Sequence, residues 1–501
     1  VSLHNRASLE PYIGDDVTYY THQVEGVRRM ARMRSVLLAD EMGLGKSLQT
    51  LTVFALDVKR NLGDKMLIVC PASLKANWQE EVEKFMGDSV HVTVLGSKLD
   101  KNQREKILNE FAEVTRPKIL VVNYEQVIKH GPQMSKMFFD MGTFDEAHYL
   151  KNPKSLRTQA CQKLLLKRSF LLTGSPILNQ VNELYPLLQR IGVENLPTYW
   201  SFVNRFCRFG GWNGKAIVGT KNEAELIRLL DAYMIRRRKA DVLDLPPVQY
   251  ITRFVEMHPL QKKYYDQIVR DMRLTNSAGD ETEIQNAMTK FLRLKQICGT
   301  TACVPGETQD VSHKLDQATN DAYEIMESGH RVVAFTQFRK VQSAFIHRLE
   351  NHGTRQMGPS ANHHNKKKRP PIFVLHGDVP IDERQKVIRA WSMSTVPGIL
   401  VAMFQVAGVG LNMTAARHGL FLDKQFVPAL NQQAVDRMHR IGADDKQAVQ
   451  IIEYFVKGTV EARVEKILAT KKKVFNNIVE NDSFLRQLIE DLIKEEANGG
   501  K

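Results

Sequence analysis

The run DEMGLGKS, residues 40–47, puts two glycines, a lysine and a hydroxyl within eight positions. It follows the apolar stretch 35–39 and precedes the helical pattern of 48–57. Strand, glycine turn and helix start are the context a phosphate-binding loop requires. Gly43 and Gly45 let backbone N–H groups turn toward phosphate oxygens, and the helix dipole adds positive potential. Lys46 would reach the β and γ phosphates, and the Ser47 hydroxyl would hold a magnesium ion. Taken alone, the run also reads as a chance glycine-rich turn. DEAH, residues 145–148, follows Lys46 by roughly 100 residues in the same stretch. In a nucleotide hydrolase Asp145 would position magnesium, and Glu146 would polarise the attacking water as general base. A lone tetrapeptide carries no weight; behind a phosphate loop it does.

The third run is QQAVDRMHRIG, residues 432–442. Arg437 and Arg440 lie three apart, so on a helix both guanidinium groups share one face. Solvated helix faces often carry such a pair. Beside a phosphate loop elsewhere in the chain, the pair also reads as arginine fingers that neutralise transition-state charge.

These residues need rigid elements to hold them. Two long stretches alternate short apolar runs with amphipathic helical segments, the pattern of parallel α/β sheets. The expected strands are 36–39, 66–70, 90–95, 119–122 and 170–173 in the first stretch, and 332–336, 372–375, 399–402, 420–422 and 449–455 in the second. A strand is also expected at 138–144, ahead of Asp145, although Asp140, Gly142 and Thr143 suit a buried central strand poorly. Residues 196–311 read mostly helical. Pro246-Pro247 cannot sit inside a helix or central strand, so they are read as an inter-lobe linker. The expected organisation is a first lobe at 1–195, helical insertions and linker at 196–310, a second lobe at 311–470, and a C-terminal helical tail at 471–501. In that tail Phe484, Leu485, Leu488, Ile489, Leu492 and Ile493 share one helical face, which reads as core packing or partner docking.

The 501 residues are 43% apolar and 25% charged, close to the soluble globular average. This excludes a wholly disordered chain, a collagen-like fibre and a small disulfide scaffold. No stretch reaches the roughly 18 apolar residues of a membrane span, and no signal peptide opens the chain, so no membrane partner is expected. Five scattered cysteines suit reduced thiols. The net charge of +14 points to a polyanion, most often nucleic acid. The basic segment 354–371, which holds His363, His364 and KKKR at 366–369, reads as a solvated loop, a DNA contact or a nuclear-import signal. The arginines 28, 29, 32 and 34, and the run 236–239, read as solvated faces or as DNA or lobe–lobe contacts. Trp78 reads equally as a core anchor or a contact residue.

The order of these motifs resembles the Swi/Snf-type double-stranded DNA translocases of helicase superfamily two, over residues 19–463. HQVEG (22–26) is similar to the family's adenine-reading motif, with Gln23 in the key place. CPASLKANWQEE (70–81) resembles motif Ia, LTGSPILN (172–179) motif III, VVAFTQF (332–338) motif IV and AGVGLNMTAA (407–416) motif V. RRRKADVLDLPP (236–247) resembles the segment leading into the family's linker. Ser47 stands for the commoner threonine, Ala407 for a glycine, and Ala443 for a glutamine. The last two bear on coupling between lobes.

The resemblance implies two tandem RecA-like lobes with ATP and magnesium as ligands, the nucleotide lying against Gln23, Asp40, Glu41, Met42, Gly43, Leu44, Gly45, Lys46 and Ser47. It implies catalysis by Lys46, Asp145, Glu146, Arg437 and Arg440, and metal binding by Ser47 and Asp145. Duplex or branched DNA would be gripped by its phosphates through Ser73, Lys75, Asn123, Gln337 and Asn412; each of these also reads as loop polarity or capping. The implied activity is DNA-stimulated ATP hydrolysis driving translocation, in DNA repair, recombination or replication. A strand-separating helicase, an RNA helicase and a non-catalytic nucleic-acid clamp are the rivals. The expected compartment is the cytoplasm of a bacterial or phage-infected cell, or the nucleus of a eukaryotic host.

Overall fold

Apolar runs with little alternation become strands of two parallel sheets, because a sheet covered by helices buries both faces. The computed structural model describes residues 17–462 and 465, except 97–98, 175, 177–179, 211–215, 244–246, 272, 285–286, 353–368, 408–410, 426–427, 441–447 and 463–464. The tail 471–501 and nearly all of the basic segment 354–371, with its two histidines, lie outside the described residues, as does Ala443. The chain divides into two units, Val1–Asp244 and Leu245–Lys501.

In the first unit the strands are β1 (Ser35–Leu38), β2 (Lys65–Cys70), β3 (His91–Val94), β4 (Lys118–Asn123), β5 (Phe139–Asp145), β6 (Leu166–Leu172), β7 (Cys207–Gly210), β8 (Ala216–Thr220) and β9 (Met234–Ile235). One seven-stranded sheet runs β3-β4-β2-β5-β6-β1-β9, with parallel pairing throughout. The helices that serve the site are α1 (Thr21–Arg32), α2 (Lys46–Lys59), α3 (Lys75–Met86), α4 (Lys101–Glu113) and α5 (Tyr124–Ser135). DEMGLGKS leaves the carboxyl end of β1 and DEAH begins at the carboxyl end of β5, with β6 between them. Open α/β sheets bind ligands at this edge.

The ill-suited residues ahead of Asp145 do form a strand, and each is accommodated. Asp140 pairs with Lys167 and accepts the backbone N–H groups of Asp64 (3.0 Å) and Lys65 (3.2 Å). At Gly142 the Leu166 side chain packs into the space a Cβ would take, so a larger residue would have to turn that leucine aside. Thr143 is wholly buried, and its hydroxyl finds no partner.

In the second unit the strands are β10 (Gln249–Val255), β11 (Arg273–Thr275), β12 (Glu281–Glu283), β13 (Val332–Thr336), β14 (Ile372–Leu375), β15 (Ile399–Met403), β16 (His418–Phe421) and β17 (Gln450–Val456). A six-stranded parallel sheet runs β10-β17-β16-β13-β15-β14. Alternation along β13 builds its two cores. Val333 and Phe335 pack with Trp391, Leu400 and Phe421, while Val332 and Ala334 face Phe345, Val401 and Leu420. A third core joins Tyr264, Phe291 and Leu294 to Val456 and Val460, which seats the helices at 259–299 on the end of β17.

The stretch 196–311 is less helical than its sequence suggests. It holds the hairpins β7–β8 and β11–β12, and two edge strands, β9 in the first sheet and β10 in the second. β9 is two residues long, and β10 leaves Tyr250 and Phe254 exposed. Neither carries the apolar run that marks a central strand. No helix among the described residues is long and apolar enough to cross a membrane.

Candidate functional site

Gly43 (φ +87°) and Gly45 (φ +76°) stand in the left-handed region, where side chains are disfavoured. Gly45 is also the N-cap of α2 and makes no side-chain cap, so the first turn of the helix keeps its N–H groups for a ligand. A Cβ at Gly45 would run into Gln23, whose amide donates to the Leu44 carbonyl at 3.3 Å. The Gln23 side-chain oxygen in turn accepts the Tyr20 N–H at 3.0 Å. His22 reaches the same Leu44 carbonyl with Nε2 at 3.1 Å, and burial holds its imidazole below the usual pKa. The expected adenine-reading helix is therefore bound to the loop itself. Lys46 Nζ donates to the carbonyls of Asp40 (2.8 Å) and Glu41 (3.3 Å), folded over the turn that phosphate would fill. Met42 and Leu44 are buried beneath it, while Ser47 and Glu41 are half-buried.

Asp40 is fully buried and lies in a network that spans distant parts of the chain. Arg237 grips both of its oxygens, bonds the His22 carbonyl, and reaches Gln49 Oε1 at 2.7 Å. Gln49 also donates to Asp40 Oδ2 at 3.2 Å, and Glu41 accepts the Lys239 N–H at 2.8 Å. The run 236–239 is thus no solvated face at Arg237 or Lys239. Pairing of β9 with β1 draws it beneath the phosphate loop. The sequence flagged the run but not this role, because 197 residues separate Arg237 from Asp40.

Asp145 Oδ1 accepts the Glu146 N–H (2.9 Å), and Oδ2 accepts Trp78 Nε1 (2.9 Å). Trp78 is thus a buried anchor with a polar task. Burial, then the neighbouring Glu146 charge, push the Asp145 carboxyl up from its ordinary pKa, against Trp78 and Lys46, which favour the anion. A half-buried carboxylate of this kind fits a hard divalent cation, which binds oxygen and offsets the cost of the charge. Glu146 stands in the left-handed region (φ +50°), and its Oε2 meets His148 Nδ1 at 3.2 Å. No group of three or more His, Cys, Asp or Glu among the described residues could hold a metal ion. Magnesium does not require one, since it takes one or two carboxylates and completes its shell with phosphate and water.

Of the residues expected to meet DNA, Ser73 is half-buried in the short turn Ala72–Leu74. Asn412 is exposed, and its Oδ1 accepts the Thr414 N–H at 3.2 Å. Gln337 is half-buried and donates its amide to the Lys424 carbonyl at 3.0 Å. Lys75 and Asn123 are turned inward. Lys75 Nζ donates to the Leu95 carbonyl at 2.6 Å, and Asn123 caps α5 by accepting the Gln126 N–H at 2.9 Å. Lys75 ties the start of α3 to the chain leaving β3, and Asn123 fixes the start of α5. In the second unit Arg437 is buried near the end of the helix Pro428–Met438. Arg440 lies beyond that end, so the two arginines do not share a helical face. Arg29 and Arg34 bond the carbonyls of Asp231 and Lys167 within the first unit. All five cysteines are free and buried.

A glycine-turned phosphate loop at one strand end and a carboxylate pair two strands away define a nucleotide-hydrolase lobe. The SNF2-related domain matches residues 22–302, and the helicase conserved C-terminal domain matches 316–442. The chain belongs to the SNF2-related family, the Swi/Snf-type branch of helicase superfamily two, and carries its ATPase core. It is 28% identical over 482 residues to the mouse chromodomain-helicase-DNA-binding protein 1-like, covering 93% of this chain and 50% of that protein. It is 28% identical over 491 residues to an uncharacterized ATP-dependent helicase of Mycoplasma pneumoniae, covering 94% and 43%. The chain spans about half the length, or less, of these curated relatives. Among solved structures, the Sulfolobus solfataricus SWI2/SNF2 ATPase core in complex with dsDNA aligns with a TM-score of 0.43 at 24% identity, covering 93% of this chain and 94% of that one.

Proposed function

We propose that this chain is a DNA-stimulated ATPase that translocates along double-stranded DNA, remodelling DNA structures or displacing bound proteins in repair, recombination or replication. The observation that carries the reading is the phosphate loop. Its helix start is uncapped, its glycines are left-handed, and Lys46 rests on carbonyls it can exchange for phosphate oxygens. The substrate is ATP. Magnesium, held by the Ser47 hydroxyl and the Asp145 carboxylate, would neutralise charge on the phosphate oxygens. Lys46 leaves the Asp40 and Glu41 carbonyls for the β and γ phosphates. Glu146 orients the attacking water and takes its proton, with His148 beside its carboxylate. Arg437 and Arg440 neutralise the charge that develops on the transferred phosphoryl group. Ser73, Gln337 and Asn412 contact backbone phosphates, which give grip without sequence preference.

The test is the ATPase rate of the purified chain alone and with matched duplex DNA, single-stranded DNA and RNA. Strong stimulation by duplex, followed by displacement of a triplex strand, is the expected result. Equal stimulation by single strands, with release of a labelled strand, would instead make it a strand-separating helicase or a branched-DNA enzyme. Preference for RNA would make it an RNA helicase, and absence of turnover under every condition would leave a clamp.

A further inference from the structure

Asp145 is where two helices of the first unit converge, α3 from the proposed DNA contact at Ser73 and α5 from the end of β4. Ser73 and Lys75 stand at the start of α3, and Trp78 follows within its first turn. The Trp78 indole N–H ends on Asp145 Oδ2 at 2.9 Å. Asn123 closes β4 and caps α5, and Tyr124 is the first residue of that helix. The Tyr124 hydroxyl donates to the Asp145 backbone carbonyl at 2.7 Å. Both side chains are almost wholly buried, at 2% and 0% exposure, so water does not readily replace either donor.

Tyr124 also connects, through Tyr149, to the backbone and neighbour of the second carboxylate. Its ring stacks on Tyr149, with centroids 5.5 Å apart and planes 6° from parallel, and Arg157 lies over both rings. Tyr149 returns its N–H to the Glu146 carbonyl at 2.9 Å, and its ring packs on His148, whose Nδ1 meets Glu146 Oε2. A close-packed interior passes on small displacements, because it has no slack to absorb them. A shift at the start of α3 moves the donor on the Asp145 carboxylate. A shift at the start of α5 moves the backbone that carries both acids.

We infer that Trp78 is the positioning residue through which DNA held at Ser73, at the start of α3, sets Asp145 for hydrolysis, while Tyr124 fixes the backbone that carries both acids. The inference rests on the proposed DNA-translocase reading. Thermodynamic linkage makes it measurable without turnover. If DNA changes the affinity for magnesium–ATP by some factor, that factor is the coupling between the sites, commonly about 5- to 150-fold.

The experiment titrates a fluorescent, slowly hydrolysed ATP analogue with magnesium into the full chain, with and without saturating duplex DNA. It compares the native protein with Trp78→Phe, Tyr124→Phe and the double variant. Each substitution removes one donor and keeps a ring. Circular dichroism and DNA affinity at fixed salt check that fold and grip persist, and Tyr124→Phe carries the test if Trp78→Phe does not fold. DNA affinity within about twofold of the native value, with the coupling factor falling at least about fivefold, is expected. Native coupling in both folded variants overturns the inference and leaves the translocase reading intact. A native protein whose nucleotide binding and ATPase rate both ignore duplex DNA overturns that reading, and the inference with it.

Discussion

At Glu146 the backbone stands at φ +50° and ψ +51°, a conformation that costs a non-glycine residue on the order of 1–3 kcal/mol. The surroundings hold it there, since its N–H bonds Asp145 Oδ1 and its carbonyl accepts from Tyr149. That strain aims two adjacent side chains differently, Asp145 into the sheet edge and Glu146 toward His148. Their roles should therefore separate on substitution. Glu146→Gln keeps shape and hydrogen bonding while removing the base, so phosphate release should fall by about 10²–10⁴-fold with ATP affinity retained. Lys46→Ala should lose both, because the loop then lacks its cation. Steady-state phosphate release and a nucleotide titration check both variants. Turnover within about twofold of the native rate in either would remove that residue from the chemistry.

At the scale of the element, β5 shows how a strand of unfavourable composition survives. Asp140 finds donors at the sheet entrance, Gly142 gives room to Leu166, and only the Thr143 hydroxyl is left buried without a partner. Burying an unpaired hydroxyl costs on the order of 1–3 kcal/mol. Thr143→Val keeps the branched shape and removes that cost, so it should stabilise the first unit by about 1 kcal/mol, read as a rise in the midpoint of urea unfolding. Most central strands were legible in the sequence because burial on both faces demands an apolar run. The edge strands β9 and β10 were not, since a largely exposed strand, or one only two residues long, carries no such run.

For the whole molecule, the excess of 70 Lys and Arg over 56 Asp and Glu bears on partners rather than on fold. If duplex DNA is gripped by its phosphates, log affinity should fall linearly with log salt. Covering roughly 6–10 phosphates would weaken binding by about 10³–10⁵-fold between 50 and 200 mM salt. Half-saturation of the ATPase by duplex DNA across a salt series measures the slope. A flat response would show that the positive charge serves something other than the DNA backbone.

The sequence by itself determined the phosphate loop, the carboxylate pair and the order of motifs, because each is a local pattern whose chemistry needs those residue types at that spacing. It also determined the two parallel sheets, through apolar runs that only a covered sheet can bury. Tertiary structure alone decided that Arg237 locks Asp40 and that Trp78 and Tyr124 close on Asp145. It also turned Lys75 inward to the Leu95 carbonyl. The physical reason is separation along the chain. These bonds join residues from 20 to 197 positions apart, and only sheet order and strand register bring such residues within hydrogen-bonding distance.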